Sequence, residues 1–400
     1  MKQLRLISIF LCMCFICSAC SGTKQASDNS AESSSQQENI EIDLEKSLQN
    51  YAGSDYHFDT DYQSYFDRPC ITKGEKGYYY WLDNRIYYYD TATEQNVALC
   101  SKAECKHSDE TCNAYFNEDF SGDKDSFVNS YVQYYDGSLY VVGVDPKGKV
   151  NLYKVAADGS SRDRYMTLFK QNINSVSGDQ MIADFTYPDI CIHRGYVYYI
   201  NNMESEPKLY RAKLGSDRSE VIYENEGTHS TTYRIKPYGD RVYFQSGNFT
   251  DEDQVNVEGG IYAYDIEKQK VSLYKESAIS DYLFYEDTLY YSTAEGICRA
   301  AEEKGSDDDR IIETKSSHAD FFLLNEQTIA YMDDRDMVVC DFKDKKEHVI
   351  RDDRMDVCYF GDGSIFFAGG AEDSASVLLL IRADEIGTAD KWTNAMNVEE

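Results

Sequence analysis

YRIKPYGDRVYFQSGNFTDEDQVNVEGGIYAYDIEKQKVSLYKE, residues Tyr233–Glu276, contains four short β-prone runs in succession. Arg234–Tyr238 enters a Gly239-Asp240 turn and Arg241–Gln245 returns. After a polar excursion come Gly260–Asp265, a turn at Glu267–Gln269, and Val271–Tyr274. Each run is β-branched or aromatic and is bounded by Gly, Asp, Asn or Lys, the pattern of an antiparallel meander. A single meander cannot bury both of its faces, so the unit is expected to repeat along the chain.

Seven copies are found. The second strand is the clearest element: Gly77–Trp81, Ser138–Val142, Gly195–Tyr199, Arg241–Gln245, Thr288–Ser292, Thr328–Met332 and Ser364–Ala368. Successive copies lie about 48 residues apart on average, within the ~40–50 residues of a propeller blade. Third strands follow at Arg85–Asp90, Asn151–Ala156, Lys208–Lys213, Gly260–Asp265, Gly296–Ala301, Met337–Asp341 and Leu379–Asp384. Fourth strands are readable in six units, at Val97–Cys100, Thr167–Phe169, Val221–Tyr223, Val271–Tyr274, Ile311–Glu313 and His348–Ile350. The seventh unit lacks one, because Ile386–Glu400 is polar and irregular, and Tyr51–Phe66 is expected to supply it and close the ring. The fold class is therefore all-β, a β-propeller of seven four-stranded blades, with six or eight as neighbouring solutions. Its rival, a large two-sheet sandwich, does not require a repeated four-strand unit.

Tyr80-Trp81-Leu82-Asp83 resembles the Tyr-Trp-Thr-Asp signature of low-density-lipoprotein-receptor-type propellers, departing at the third position. Later units, with Gly-Asp-x-Val-Tyr-Phe or Gly-x-Val-Tyr-Tyr before a Leu-Tyr-Arg strand, look like a bacterial domain of unknown function grouped with that family. The resemblance covers about Pro69 to Ala383. It implies an extracellular binding scaffold and brings no catalytic residues with it; fold likeness alone does not fix function.

The N-terminus supplies an address. Lys2 and Arg5 precede an apolar run, Leu6–Ile16, and then Cys17-Ser18-Ala19-Cys20. This order is that of a signal peptide, and the run falls short of the ~20 apolar residues of a spanning helix. Cysteine after Ser-Ala resembles a bacterial lipoprotein signal, which implies cleavage after residue 19 and lipidation, with palmitate among the acyl chains, at Cys20. Residues 20–50 are rich in Ser, Gln and Glu and read as a disordered tether. Residues 51–400 then form one propeller domain. The formal charge of −31, two units more negative once Lys2 and Arg5 leave with the leader, excludes nucleic acid as a partner. It also argues against electrostatic docking on anionic lipid, so the Cys20 lipid is the expected tie to the membrane.

Candidate chemistry is sparse. The six histidines, His57, His107, His193, His229, His318 and His348, share no spacing. There is no G-x-S-x-G elbow, H-E-x-x-H helix or phosphate loop in the sequence. The acidic loops at Asp119–Asp125, Asp251–Asp253 and Asp307–Asp309 lack the order of a calcium loop. The 35 Tyr and 18 Phe are placed mainly on strands two and three, which points to packing between blades rather than to sugar stacking. Ligand-facing rings are expected only in loops, as at Tyr115, Phe116, Phe120 or Phe249. Cys191, Cys298, Cys340 and Cys358 sit singly in strands and read as small core residues.

The local signal that stands out is an insertion at 100–128 with the order C-x4-C-x-H-x4-C, made by Cys100, Cys105, His107 and Cys112. With Cys70 these residues form disulfides, hold a structural zinc, or remain free thiols, in that order of expectation. In either leading case the cluster pins the insertion, and no cofactor is required for function. Two functions follow for the whole chain. The first is a lipid-anchored extracytoplasmic scaffold binding a protein or a glycan. The alternative is an extracellular carbohydrate-active hydrolase or lyase with its site in the propeller channel, which would need a convergent acid/base pair.

Overall fold

The structure is a computed structural model of the 400-residue chain. It describes residues 39–40, 71–117, 125–127, 131–171, 188–201, 207–227, 230–249, 257–301, 306–316, 319–333, 336–361, 365–372 and 375–395. The chain divides into Met1–Gln37 and Glu38–Glu400, and all described residues belong to the second unit.

Seven four-stranded antiparallel sheets form the blades of a β-propeller. Blade 1 comprises β1 (Ile71–Lys73), β2 (Gly77–Leu82), β3 (Arg85–Asp90) and β4 (Gln95–Ala98). Blade 2 comprises β5 (Val132–Tyr135), β6 (Ser138–Val144), β7 (Lys149–Ala156) and β8 (Arg162–Lys170). Blade 3 comprises β9 (Asp189–His193), β10 (Tyr196–Ile200), β11 (Leu209–Lys213) and β12 (Ser219–Tyr223). Blade 4, the founding repeat, comprises β13 (Ser230–Tyr238), β14 (Arg241–Phe249), β15 (Val257–Asp265) and β16 (Lys270–Glu276). Blade 5 comprises β17 (Asp281–Tyr285), β18 (Thr288–Thr293), β19 (Gly296–Arg299) and β20 (Asp309–Ile312). Blade 6 comprises β21 (Phe321–Leu323), β22 (Thr328–Asp333), β23 (Asp336–Asp341) and β24 (Lys346–Ile350). Blade 7 comprises β25 (Met355–Gly361), β26 (Ile365–Glu372), β27 (Ala375–Arg382) and β28 (Thr393–Asn394).

Blade 7 corrects one expectation. Its fourth strand comes from the C-terminal segment, where Thr393 and Asn394 pair with Leu380 and Leu379. The pairing is locked by the Ala395 N–H on Leu378 O at 2.8 Å. Every blade is thus one continuous stretch of chain. Tyr51–Phe66, expected to donate that strand, lies outside the described residues. The ring closes by packing instead: Ile71, Tyr78, Tyr80 and Tyr89 of blade 1 share a core with Ile365, Phe367, Leu378 and Leu380 of blade 7. Ile40, inside the stretch read as a tether, is buried and donates its N–H to Gly387 O at 3.0 Å.

The aromatic residues fill the spaces between blades, as their placement on the strands predicts. Tyr78, Tyr80, Tyr198, Tyr199, Phe244, Tyr264, Tyr282 and Phe322 are fully buried. Rings meet across neighbouring sheets, as with Tyr79 stacked on Tyr134 at 5.9 Å and Phe322 edge-on to Phe366 at 5.5 Å. Such rings each bury ~150–250 Å² and dominate the energetics of a core.

The first strands of successive blades approach one another, β1 with β5, β5 with β9, β9 with β13, and β17 with β21. These are the inner strands of the ring, and their free edges carry backbone groups that no ladder satisfies, a liability for any sheet. Side chains fill the role across four successive seams. Thr72 Oγ1 accepts the Tyr134 N–H at 3.0 Å. The Gln133 amide pairs with both backbone groups of Ile192, at 2.9 and 2.7 Å. Asp189 Oδ2 accepts the Arg234 N–H at 2.9 Å, and Lys236 Nζ donates to Tyr282 O at 2.7 Å.

Candidate functional site

The Cys/His insertion has a defined place in blade 1. Strand β4 covers only the C-terminal half of β3, ending at the Ala98–Tyr87 pair. Leu99 N–H continues to Ile86 O at 2.9 Å, and then the chain leaves the sheet. It returns with Ile86 N–H on Ala114 O at 3.0 Å, an Arg85–Tyr115 bridge, and Phe116 N–H on Asn84 O at 2.9 Å. The fourth-strand position is therefore built in two pieces, and residues 100–112 form the excursion between them. At its base Cys100, Cys105, His107 and Cys112 bring one ligand atom each to within 4.8 Å of one another, an arrangement able to hold a metal ion.

Local turns produce that convergence. Cys105 N–H donates to Lys102 O at 3.3 Å and Cys112 N–H to Asp109 O at 3.0 Å. His107 adopts a left-handed backbone, φ 52°, and Arg85 Nε donates to its carbonyl at 2.7 Å. The His107 Nδ1 then lies 3.3 Å from Cys112 Sγ. A second layer of donors faces the sulfurs: the Ala114 N–H reaches Cys112 Sγ at 3.3 Å, and the N–H groups of Lys102 and Asn113 point at Cys100. Burial pushes the Cys112 thiol up to about 11 despite the Ala114 donor. At Cys100 burial acts in the same upward direction, but the N–H donors and the two neighbouring thiols outweigh it and hold the group below its ordinary value. Cys100, Cys105 and Cys112 are unbridged thiols in the structure. Cys70 and Cys20 lie outside the described residues.

The excursion is also tied to blade 2. Asn113 Nδ2 donates to Gly159 O at 2.7 Å, and Ser101 N–H reaches the same oxygen at 3.4 Å. Arg162 donates to Tyr115 O and lies 4.7 Å from the centre of the Phe116 ring. Gly159 sits in the β7–β8 turn at φ +69°, and a Cβ there would meet the Leu99 carbonyl carbon and oxygen at 2.6 Å. Gly137 has a similar φ of +73° with open space around it. Gly159→Ala is expected to lose about 1–3 kcal/mol through strain and contact together, and Gly137→Ala only the conformational share. Urea midpoints of the two variants check this, and equal losses would show that the contact with Leu99 is not what selects glycine.

A second constellation, on the inner strands, escaped the sequence reading. Arg234 Nη1 is 2.9 Å from Asp281 Oδ1, and Lys236 Nζ is 2.7 Å from the same oxygen. Asp320 stands 3.7 Å from Arg234. Arg234, in a β13 bulge at φ 52°, thereby links blades 4, 5 and 6. The available signal was Arg234 and Lys236 themselves, two cations in an aromatic first strand. Nothing in the sequence brings Asp281 to them, since it is 45 residues from Lys236.

Of the other candidates, His57, His229, His318 and Asp251–Asp253 lie outside the described residues. His193 Nε2 donates to Gly239 O at 2.8 Å in the next blade, and His348 Nε2 to Ala389 O at 2.8 Å. Phe116, expected to face a ligand, is fully buried, 5.0 Å from both Trp81 and Phe127. Tyr115 and Phe249 are half-buried, and Phe120 lies outside the described residues. Asp308, in an acidic loop, accepts from Lys275 and Tyr291. Cys191 and Cys340 are buried strand residues.

Comparison with family models and with curated protein sequences gives no match. Among solved structures the chain is similar to TolB from Acinetobacter baumannii, at 16% identity and TM-score 0.40, covering 78% of this chain and 76% of that one. It is similar to puromycin hydrolase at 11% identity and TM-score 0.51, covering 82% of this chain and 53% of that one. A puromycin-hydrolyzing peptidase of Mycobacterium tuberculosis gives 10% identity and TM-score 0.51, with 89% and 56% covered. The chain spans about half the length of these two hydrolases. At such identities the likeness is one of fold.

Proposed function

We propose that the chain is a lipid-anchored propeller on the outer face of the cytoplasmic membrane, acting as a binding scaffold for a protein or a glycan. The observation that carries the scaffold reading is how the inner-strand charges are used. Asp281 of blade 5 pairs with both Arg234 and Lys236 of blade 4, so these charges tie the two blades together, which supports reading the ring as a frame that presents its loops for recognition. The anchor rests on the Lys2, Arg5, Leu6–Ile16 and Cys20 pattern, and the net charge of −31 disfavours nucleic acid and anionic lipid as ligands. The test has two arms. Cys20→Ser is expected to release the protein from the membrane fraction or leave its leader uncut; membrane retention after leader removal overturns the anchor. The full chain in detergent, offered a polysaccharide panel and an envelope extract, is expected to retain a partner without releasing products. Turnover of any glycan overturns the scaffold reading, as does the absence of any retained protein or glycan.

A further inference from the structure

We propose that Cys100, Cys105, His107 and Cys112 form a closed four-ligand zinc site that fastens the blade 1 excursion at the seam with blade 2. The argument starts from the donors. Three cysteine sulfurs and one imidazole nitrogen form a borderline-soft set that suits zinc and does not suit calcium or magnesium, which take oxygen. Zinc bonds of ~2.3 Å to sulfur and ~2.0–2.1 Å to nitrogen place neighbouring tetrahedral ligands roughly 3.5–3.8 Å apart. The His107 Nδ1–Cys112 Sγ separation is 3.3 Å, and all four atoms fall within 4.8 Å. The full site therefore forms by local shifts of about an ångström or less.

A disulfide explains less of this geometry. One bridge needs two sulfurs, and it gives no reason for a third sulfur and His107 Nδ1 to converge on the same point. It also gives no reason for His107 to hold a left-handed backbone with its carbonyl fixed by Arg85. The N–H donors on Cys100 and Cys112 match the outer layer that orients thiolate ligands around a metal. Four protein ligands fill a tetrahedron, leaving no position for water or substrate, so the site is structural. Its effect is topological. The excursion leaves β3 at Leu99 and rejoins it at Ala114, and a metal joining residues 100 and 112 clamps the two ends of that loop. Asn113, next to a ligand, carries the clamp to Gly159 of blade 2.

The experiment uses the full chain, purified without chelator and without added reductant, with metal content measured by mass spectrometry. About one zinc per chain is expected, with Cys100, Cys105 and Cys112 slow to alkylate until the metal is stripped. Cobalt(II) in its place should give the intense visible absorption of a tetrahedral thiolate site. Cys112→Ser should lower the zinc content about tenfold or more, whereas His107→Cys, which keeps four ligands, should retain it. Far-ultraviolet circular dichroism verifies that both variants keep the sheet. Zinc below about a tenth of an equivalent in the parent protein overturns the proposal. So does zinc unchanged by Cys112→Ser in a folded variant. A mass two hydrogens lighter before reduction, mapped to a pair within 100–112, assigns the cluster to a disulfide instead.

Discussion

Asp281→Ala is expected to cost about 3 kcal/mol of folding stability, the lower end of the ~3–5 kcal/mol for breaking a buried ion pair from one side. The Asp281 side chain is 3% exposed and receives two cations, Arg234 at 2.9 Å and Lys236 at 2.7 Å. Its removal strands them unequally. Arg234 is 36% exposed and keeps Asp320 at 3.7 Å, so it falls back on water and a second carboxylate. Lys236 is 21% exposed and keeps the Tyr282 carbonyl and ring, which accept a proton donor and a cation without neutralising the charge. The cost therefore lies mainly with Lys236. Lys236→Met in the same chain should recover much of it, because removing both partners avoids the unpaired charge. Urea unfolding of the two single variants and the double variant measures the coupling. A loss below about 1 kcal/mol for Asp281→Ala, or strict additivity, would mean the cluster is solvated and does not brace the seam between blades 4 and 5.

How much of this was legible before the structure depends on where the physical constraint resides. Second strands such as Ser138–Val144 and Thr288–Thr293 announce themselves, because a run of buried residues follows directly on a turn. Burial on both faces demands apolar residues at nearly every position, and that demand is local. Strand β28 is different. Thr393–Asn394 is two residues long and polar, and it is a strand only because the free edge of β27 presents unpaired groups to it. No propensity in those residues could have revealed it. The inner-strand ties are intermediate: Gln133 and Lys236 are the third residues before their respective turns, and Gln133 stands out as the polar position of the strand Val132–Tyr135. Their partners lie one blade away, at a distance fixed by the ring and invisible to spacing. At the insertion the ligand types were readable, since Cys and His are rare enough for their spacing to register. That Phe116 belongs to the core beneath them was not, because the chain re-enters the sheet only two residues after Cys112, through a hydrogen bond to Ile86 that spacing does not reveal.

Ring closure gives the second large effect, at Phe367. Many propellers join their ends by completing one sheet from both termini; here blade 7 takes β28 from the sequence that follows β27. Among the described residues, the seam between blades 7 and 1 is held by side chains. Phe367 is fully buried and meets Tyr78 at 4.9 Å and Tyr89 at 6.0 Å, both nearly edge-on. Around it the Asn96 amide donates to Ala395 O, and Arg382 pairs with Glu94 at 3.2 Å on the surface. An exposed pair of that kind contributes little, so the aromatic contact carries the seam. Phe367→Ala should cost about 3–5 kcal/mol, as for other buried phenylalanines cut to alanine. Phe244→Ala, within the packing of blades 3 and 4, should cost a similar amount. The two should differ in how the chain unfolds. Blade 4 has neighbours on both sides joined to it through the chain, so Phe244→Ala lowers stability and leaves one cooperative transition. Blades 1 and 7 are adjacent only in space, so loosening their contact frees both ends of a stacked array in which stability passes from neighbour to neighbour. Hydrogen exchange in Phe367→Ala should therefore quicken first in β1–β3 and β26–β27, before the middle blades respond. Uniform acceleration around the ring would mean that the seam is no weaker than the six covalently continuous ones.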